Sequence, residues 1–280
     1  MKKILYLFGI ALWGLSSCTS IDNWDEPDCT FYGTVIDSYT GEPLLASQND
    51  WQIRIWERSW TGQEGGATDK QDLRIKQDGT YQNTKLFAGT YDMLPYDGPF
   101  WPVDTVKNVK LSSSTRQDFT VTPYLQIIDF ETEVGTWDFG TQEVPNIQPS
   151  LTMYFRIKAP RRDGLPNIRD IQGFISRTIF CGNGTDSRID IAEYRDHVDD
   201  NPATAFDERG TKGRIATNRS WADACKWLDP AWVDSDTSPR IRIGPLPVKS
   251  EYTYHVRAGA STNIGSNRFN YSPITVVTIP

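Results

Sequence analysis

Short runs of alternating apolar and polar residues, separated by Gly, Pro, Asp and Asn, make up most of the chain, and no long 3.6-residue apolar period appears before residue 220. That pattern predicts an all-β protein. Phe31-Tyr32-Gly33-Thr34-Val35-Ile36-Asp37 reads as a strand. Thr40-Gly41-Glu42-Pro43-Leu44 reads as the turn after it, with Gly41 free to take positive φ. Residues 51–56 alternate, with Trp51, Ile53 and Ile55 on one face and Gln52, Arg54 and Trp56 on the other. Asp78-Gly79-Thr80-Tyr81 and Ala88-Gly89-Thr90-Tyr91 each place a turn before an aromatic strand, and strands at 106–111 and 116–122 finish the first unit. Further strands are predicted at 125–133, 151–158, 171–180, 240–243, 252–258 and 274–279. One helix is predicted. Ser220-Trp221-Ala222-Asp223 has the form of a capping box with Asp in place of Glu or Gln, and Trp221, Ala224, Cys225 and Leu228 then share one face until Pro230 ends the run.

Two families of motif divide the chain. Gly33-x-Val35-x-Asp37-x-x-Thr40-Gly41-x-Pro43-Leu44, then Asp78-Gly79-x-Tyr81, then Leu86-x-x-Gly89-x-Tyr91, resembles the carboxypeptidase regulatory-like (prealbumin-like) β-sandwich over residues 30–122. The resemblance implies turn glycines, tyrosines packed across the sandwich, and a scaffold without peptidase activity. In residues 123–280, Leu246-Pro247-x-x-x-Glu251-Tyr252-x-Tyr254-x-Val256-Arg257-Ala258 resembles the tyrosine-corner strand of fibronectin type III domains. That resemblance implies that the Tyr252 hydroxyl bonds backbone just upstream. Tyr271-Ser272-Pro273-Ile274-Thr275-Val276-Val277-Thr278 resembles the last strand of the same fold. Because this unit exceeds the roughly 100 residues of an immunoglobulin-like sandwich, an insertion near 181–238 carrying the short helix is expected.

The amino terminus supplies an address. Lys2 and Lys3 precede an uncharged apolar stretch, residues 4–15, that is too short to span a bilayer. Leu15-Ser16-Ser17-Cys18 resembles the lipobox of bacterial lipoproteins, which implies a signal peptide over 1–17 and lipidation of Cys18. Residues 18–29 then form a polar, acidic tether that resembles the surface-export signal of Bacteroidetes lipoproteins. The expected location is the outer membrane, lipid-anchored and facing the cell surface, with a periplasm-facing lipoprotein as the alternative. Removing Lys2 and Lys3 with the signal takes the formal charge from −7 to −9. An acidic chain with no Lys/Arg stripe is a poor partner for nucleic acid. Disulfides are permitted outside the cytoplasm, and of the remaining Cys29, Cys181 and Cys225 the pair Cys181–Cys225 is nominated as a bridge.

Catalytic chemistry has few candidates. The only histidines are His197 and His255; alternation turns His255 to solvent, and His197 lies in an acidic loop where Asp196 and Asp199 are the candidate ligands for a hard cation. No zinc motif or phosphate loop is present, so no cofactor is expected. The aromatics are more informative. Ten Trp occur, nine after Trp13 in the signal is removed, and indole faces stack on the apolar C–H faces of sugars. Trp56, Trp60, Trp101, Trp227 and Trp232 are the candidate glycan-binding residues, whereas Trp51, Trp137 and Trp221 are assigned to the core. Lipobox, prealbumin-like unit and fibronectin-like unit together resemble a two-domain Bacteroidetes lipoprotein family of unknown function, encoded beside SusC/SusD-type importers. The resemblance implies a non-catalytic accessory protein that binds an oligo- or polysaccharide for such an uptake system. A structural subunit of the importer complex that makes no glycan contact is the alternative, and a glycoside-active enzyme the third reading.

Overall fold

The computed structural model describes residues 26–59, 70–140, 143–183, 214–265 and 268–280, and the side chains of 214–216 are left aside. It is an all-β, multi-sandwich chain with a single short helix among the described residues. In the first sandwich, β1 (Cys29–Asp37) pairs antiparallel with β4 (Thr80–Leu86) and parallel with the short β7 (Ser114–Arg116) and β8 (Phe119–Val121). The facing sheet has the order β3-β2-β5-β6, with β2 at Gln52–Glu57, β3 at Lys70–Arg74, β5 at Gly89–Tyr96 and β6 at Val106–Leu111. Alternation fixes what lies between the sheets. Trp51, Ile53 and Ile55 are fully buried there, and Gln52, Arg54 and Trp56 point the other way. Tyr81 and Tyr91 are buried, and their hydroxyls donate to the backbone oxygens of Gln117 and Phe87. Gly41 and Gly79, at φ of 75° and 79°, make the turns the sequence asks of them.

The second sandwich pairs β9 (Gln126–Asp138), β10 (Ile147–Lys158) and β13 (Ile241–Pro247) in the order β13-β10-β9. Against them lies the sheet β12-β11-β14-β15, with β16 also on β14, formed by β11 (Ile168–Ser176), β12 (Arg214–Arg219), β14 (Thr253–Thr262), β15 (Phe269–Tyr271) and β16 (Thr275–Thr278). Leu151, Met153, Phe155 and Ile157 of β10 and Ile241 and Ile243 of β13 fill the space between. The helix α1 (Trp221–Leu228) has Ser220 as its cap, whose hydroxyl accepts from the Asp223 N–H and donates to its carboxylate at 2.6 Å. It buries Trp221, Ala224 and Cys225 and ends where the Asp229 N–H donates to the Cys225 carbonyl.

Buried polar contacts tie the sandwiches together. Asn270 accepts from the Leu125 N–H and donates to the Pro99 carbonyl, both at 3.1 Å. Arg257, 1% exposed, donates to the Ala46 carbonyl at 2.8 Å and lies 3.7 Å from the centre of the Tyr271 ring. Arg268 reaches Asp50 at 3.3 Å and Asp97 at 2.9 Å. Burial pushes the Asp50 carboxyl up and the Arg257 guanidinium down, each opposed by opposite charge across the seam. Phe174, Cys181, Phe269 and Tyr271, with Leu45 packed on them, continue the seam in apolar form.

Four expectations are corrected. Trp137 is not a core residue: β9 runs on to Asp138, and the ring lies outside every buried cluster. No disulfide joins Cys181 and Cys225, because Cys225 is buried under α1 in the main core of the second sandwich, whereas Cys181 belongs to the seam and its thiol donates to the His255 carbonyl. The corner tyrosine is Tyr254, which is 3% exposed and accepts from the Lys249 N–H at 3.0 Å; Tyr252, two residues earlier and just ahead of β14, stacks on it at 6.2 Å and is exposed between Arg177 and Lys249. Finally, part of the expected 181–238 insertion is sheet, since residues 214–219 pair along β11.

Candidate functional site

Of the nominated residues, Cys18, Trp60, Asp196 and Asp199 lie outside the described residues, as does His197. Trp56 stands half-buried on the outer face of β2, between Lys70 and Asp92 on the neighbouring strands. Trp101 is packed edge-on to Tyr124 at 5.2 Å and covered by the Arg161 guanidinium at 4.2 Å, and its Nε1 is buried without a partner. Trp232 and Trp221 meet edge to face at 6.5 Å and donate their indole N–H groups to the Thr237 and Ser235 carbonyls. Trp227 packs partly on the same core and is covered by Arg219 at 4.9 Å. Trp101, Trp227 and Trp232 are each partly buried against the core of the second sandwich, whereas Trp56 stands on the first. His255 is half-buried rather than turned to solvent, with Nδ1 unpartnered. Among the described residues no three His, Cys, Asp or Glu are grouped to hold a metal. A cleft of about 360 Å³ beside Pro95, Val103, Val106 and Phe119 is lined also by Asp104 and Asp118, so it is mixed apolar and acidic.

The aromatic surface with open floor lies on the outside of the β13-β10-β9 sheet. Register sets which side chains share it. Trp137 pairs with Gln148, Gly135 with Ser150, Glu133 with Thr152, Glu131 with Tyr154, and Tyr154 again with Arg242 across β10. The inward alternates are the core residues Leu151, Met153, Phe155, Ile241 and Ile243, so the outward set is dictated by period two. Between the two rings the floor is low. Gly135 has no side chain and almost nothing above it, for a Cβ there would meet only the Ser150 hydroxyl at 3.9 Å. Ser150 and Thr152 continue the row along β10 as short polar side chains, themselves covered at 5% and 7% exposure.

Charges surround the trough in a defined pattern. Arg240 pairs with Glu131 at 2.7 Å and its guanidinium covers the Tyr154 ring at 4.3 Å. The Tyr154 hydroxyl donates to Glu133 at 3.0 Å, and partial burial together with that carboxylate pushes its pKa up, so it stays a donor at neutral pH. Arg242 reaches to 6.0 Å from the Trp137 ring centre and links the two aromatic positions. The signal for this face was present in the sequence: residues 153–158 and 240–243 alternate strictly, which turns Tyr154, Arg156, Lys158, Arg240 and Arg242 outward. What hid it was the length of β9, since a strand ending at 133 leaves Trp137 in a loop.

A flat sheet face with rings at its ends, a hydroxyl-lined floor and flanking Arg, Glu and Gln can hold a polar ligand that has apolar faces. No curated protein matches the sequence. Three solved structures share the fold across both sandwiches. A "putative carbohydrate binding protein" from Bacteroides uniformis ATCC 8492 superposes with TM-score 0.59 at 22% identity, covering 90% of this chain and 100% of that one. A DUF3823 family protein from the same organism gives 0.58 at 23% identity, covering 91% and 100%. A DUF3823 family protein from Parabacteroides merdae ATCC 43184 gives 0.56 at 17% identity, again covering 91% and 100%. Residues 29–122 match the N-terminal domain of the proteins of unknown function called DUF3823.

Proposed function

We propose that this chain is a non-catalytic accessory protein that binds an oligo- or polysaccharide on the outer face of β13-β10-β9. One observation carries the reading: Trp137 and Tyr154 stand on a regular sheet face, outside the buried clusters, with open space above Gly135 between them. Sugar rings present apolar C–H faces to such rings and hydroxyls to the amide and carboxylates beside them. The name of the structurally similar Bacteroides uniformis protein supports the same reading. Single sites of this kind bind at about 1 mM to 1 μM, and many tethered copies raise the effective concentration. In this proposal Cys18 carries the lipid, the chain lies on the outer membrane beside a SusC/SusD-type importer, and the first sandwich acts as a spacer.

Affinity electrophoresis on a polysaccharide panel tests the binding. Retention of the wild type on at least one glycan, lost in W137A and in Y154A, is the expected result; migration unaffected by every glycan overturns the proposal. Substitution C18A tests the anchor separately, because the chain then leaves the membrane fraction. A second reading, a structural subunit without glycan contact, is favoured by the inward packing of Trp221 and Trp232. It predicts copurification with the importer that W137A does not disturb.

A further inference from the structure

Four cations and four carboxylates surround the β13-β10-β9 face, and three of the cations have a carboxylate within ion-pair distance. Arg240 pairs with Glu131 at 2.7 Å, Arg156 with Asp129 at 3.8 Å, and Lys158 with Asp236 at 3.6 Å. The fourth carboxylate, Glu133, accepts the Tyr154 hydroxyl. Arg242 is left over. Its guanidinium has no hydrogen bond or ion pair among the described residues, its Nε is shielded from solvent without a partner, and it lies beside two aromatic groups, the Trp137 ring and the Tyr154 hydroxyl. A guanidinium is a planar fork of five N–H donors that fits a carboxylate in two parallel hydrogen bonds. An unpartnered donor at partial burial costs free energy that a ligand anion would recover.

Building on the glycan-binding reading, we propose that this face is specific for acidic oligosaccharides, with the Arg242 fork taking a uronate carboxylate while the sugar ring lies on Trp137. The net charge of −7 bears on the same point. A chain that repels anions at long range gains selectivity for short uronate stretches only where a cation without its own counter-charge stands in the site, and Arg242 is that cation on this face. Gln148, paired with Trp137, and Glu133, across the floor, are placed for the neutral hydroxyls of the same chain.

Calorimetry with the full chain, titrated with oligogalacturonate, oligoguluronate and glucuronoxylan oligosaccharides and with the carboxyl-reduced form of each, tests this. At least one acidic probe is expected to bind about tenfold or more tightly than its reduced counterpart, as a charge-assisted bidentate contact would give. R242M is expected to remove that preference, bringing the affinities for the acidic and the reduced probe together. R242K, which keeps the charge and loses the fork, is expected to fall between, and covers the case in which R242M does not fold. Equal affinity of the wild type for acidic and reduced probes overturns the acidic specificity and leaves glycan binding standing, as does a preference that survives R242M. Acidic preference that W137A leaves intact moves the site off this face and overturns the proposal. Absence of binding to every probe, neutral ones included, overturns the underlying glycan reading as well.

Discussion

The wall around α1 and the open face of β13-β10-β9 are built from similar residues and serve opposite ends. Both combine tryptophan with arginine. Around α1, Trp221 and Trp232 turn into the core, meet each other edge to face, and donate their indole N–H groups to backbone carbonyls. On the open face, Trp137 and Tyr154 belong to no buried cluster, and their polar neighbours are side chains that a ligand can share. Ring content therefore does not locate a binding surface. What lies behind each ring, and whether its polar atom is already bonded to backbone, does.

The largest contrast is in stability. W221A removes a ring that is 7% exposed and a hydrogen bond at 2.8 Å, and should cost about 3–5 kcal/mol in urea denaturation. W137A, on the open face, should cost under about 1 kcal/mol and show its effect in ligand binding instead. Equal losses at the two positions would erase the distinction between wall and face.

A contrast of similar size is chemical. Burial under α1 pushes the Cys225 thiol up to about 12 from its ordinary 9.0, so roughly a thousandfold less thiolate is present than in the unfolded chain. The neutral thiol contributes stability in full below the unfolded value, and the contribution is lost as pH rises towards the folded value. Iodoacetamide should therefore label Cys225 at neutral pH only as fast as the wall opens, and labelling should accelerate together with unfolding in W221A. Rapid labelling in the native wild type would mean that the helix does not shield its inner face.

Much of this arrangement was legible in the sequence, for physical reasons that also explain the misses. Period-two alternation in 51–56 and the capping sequence at Ser220 act within a few residues, and both elements form where their patterns put them. The corner tyrosine was misplaced by two residues because Tyr252 and Tyr254 share the strand's period of two, and only the start of β14 at Thr253, set by its pairing with β16, puts Tyr254 and not Tyr252 in the strand. The edge strand β3 has one buried apolar residue, Leu73, in five, too few to give a period. Trp137 was misassigned because residues 134–138 become strand through pairing with 147–151, a contact the local sequence does not announce. For the same reason the candidate site was visible only in part: its outward residues on β10 and β13 were readable, and their assembly with Trp137 was not.

W232A sharpens the comparison at intermediate size. Trp232 is half-buried, packs on the core and donates to the Thr237 carbonyl at 2.9 Å, so its loss should cost about 2 kcal/mol, less than Trp221. Its effect on glycan retention should be absent once the protein is folded. A specific loss of retention in W232A with an unchanged melting profile would move the binding surface to the helix wall.

The smallest effect concerns a third surface, the outside of β2 and β5, which shows what a satisfied arginine looks like. Arg54 covers the Tyr96 ring at 3.7 Å, as Arg242 approaches Trp137, but both arms of its fork already hold Asp72, at 2.8 and 2.9 Å. The hydrogen bond from Arg54 holds the Asp72 carboxyl below its ordinary 3.8. A folded value lower than the unfolded one means that the pair stabilises the fold above that ordinary value and loses its contribution as the pH falls through the lowered one. The pair is partly exposed, so D72N should cost under about 1 kcal/mol at neutral pH, and the wild type and D72N should converge in acid. D72N also releases part of the Arg54 fork beside an exposed ring, the condition in which Arg242 already stands. If an unpartnered arginine next to an aromatic ring is enough to recruit a uronate, D72N should gain weak retention on oligogalacturonate that the wild type lacks when W137A has removed its own site. If the low floor of Gly135, Ser150 and Thr152 is also required, the W137A/D72N double variant should stay unretained, because Leu94 and Tyr96 stand where that floor would be.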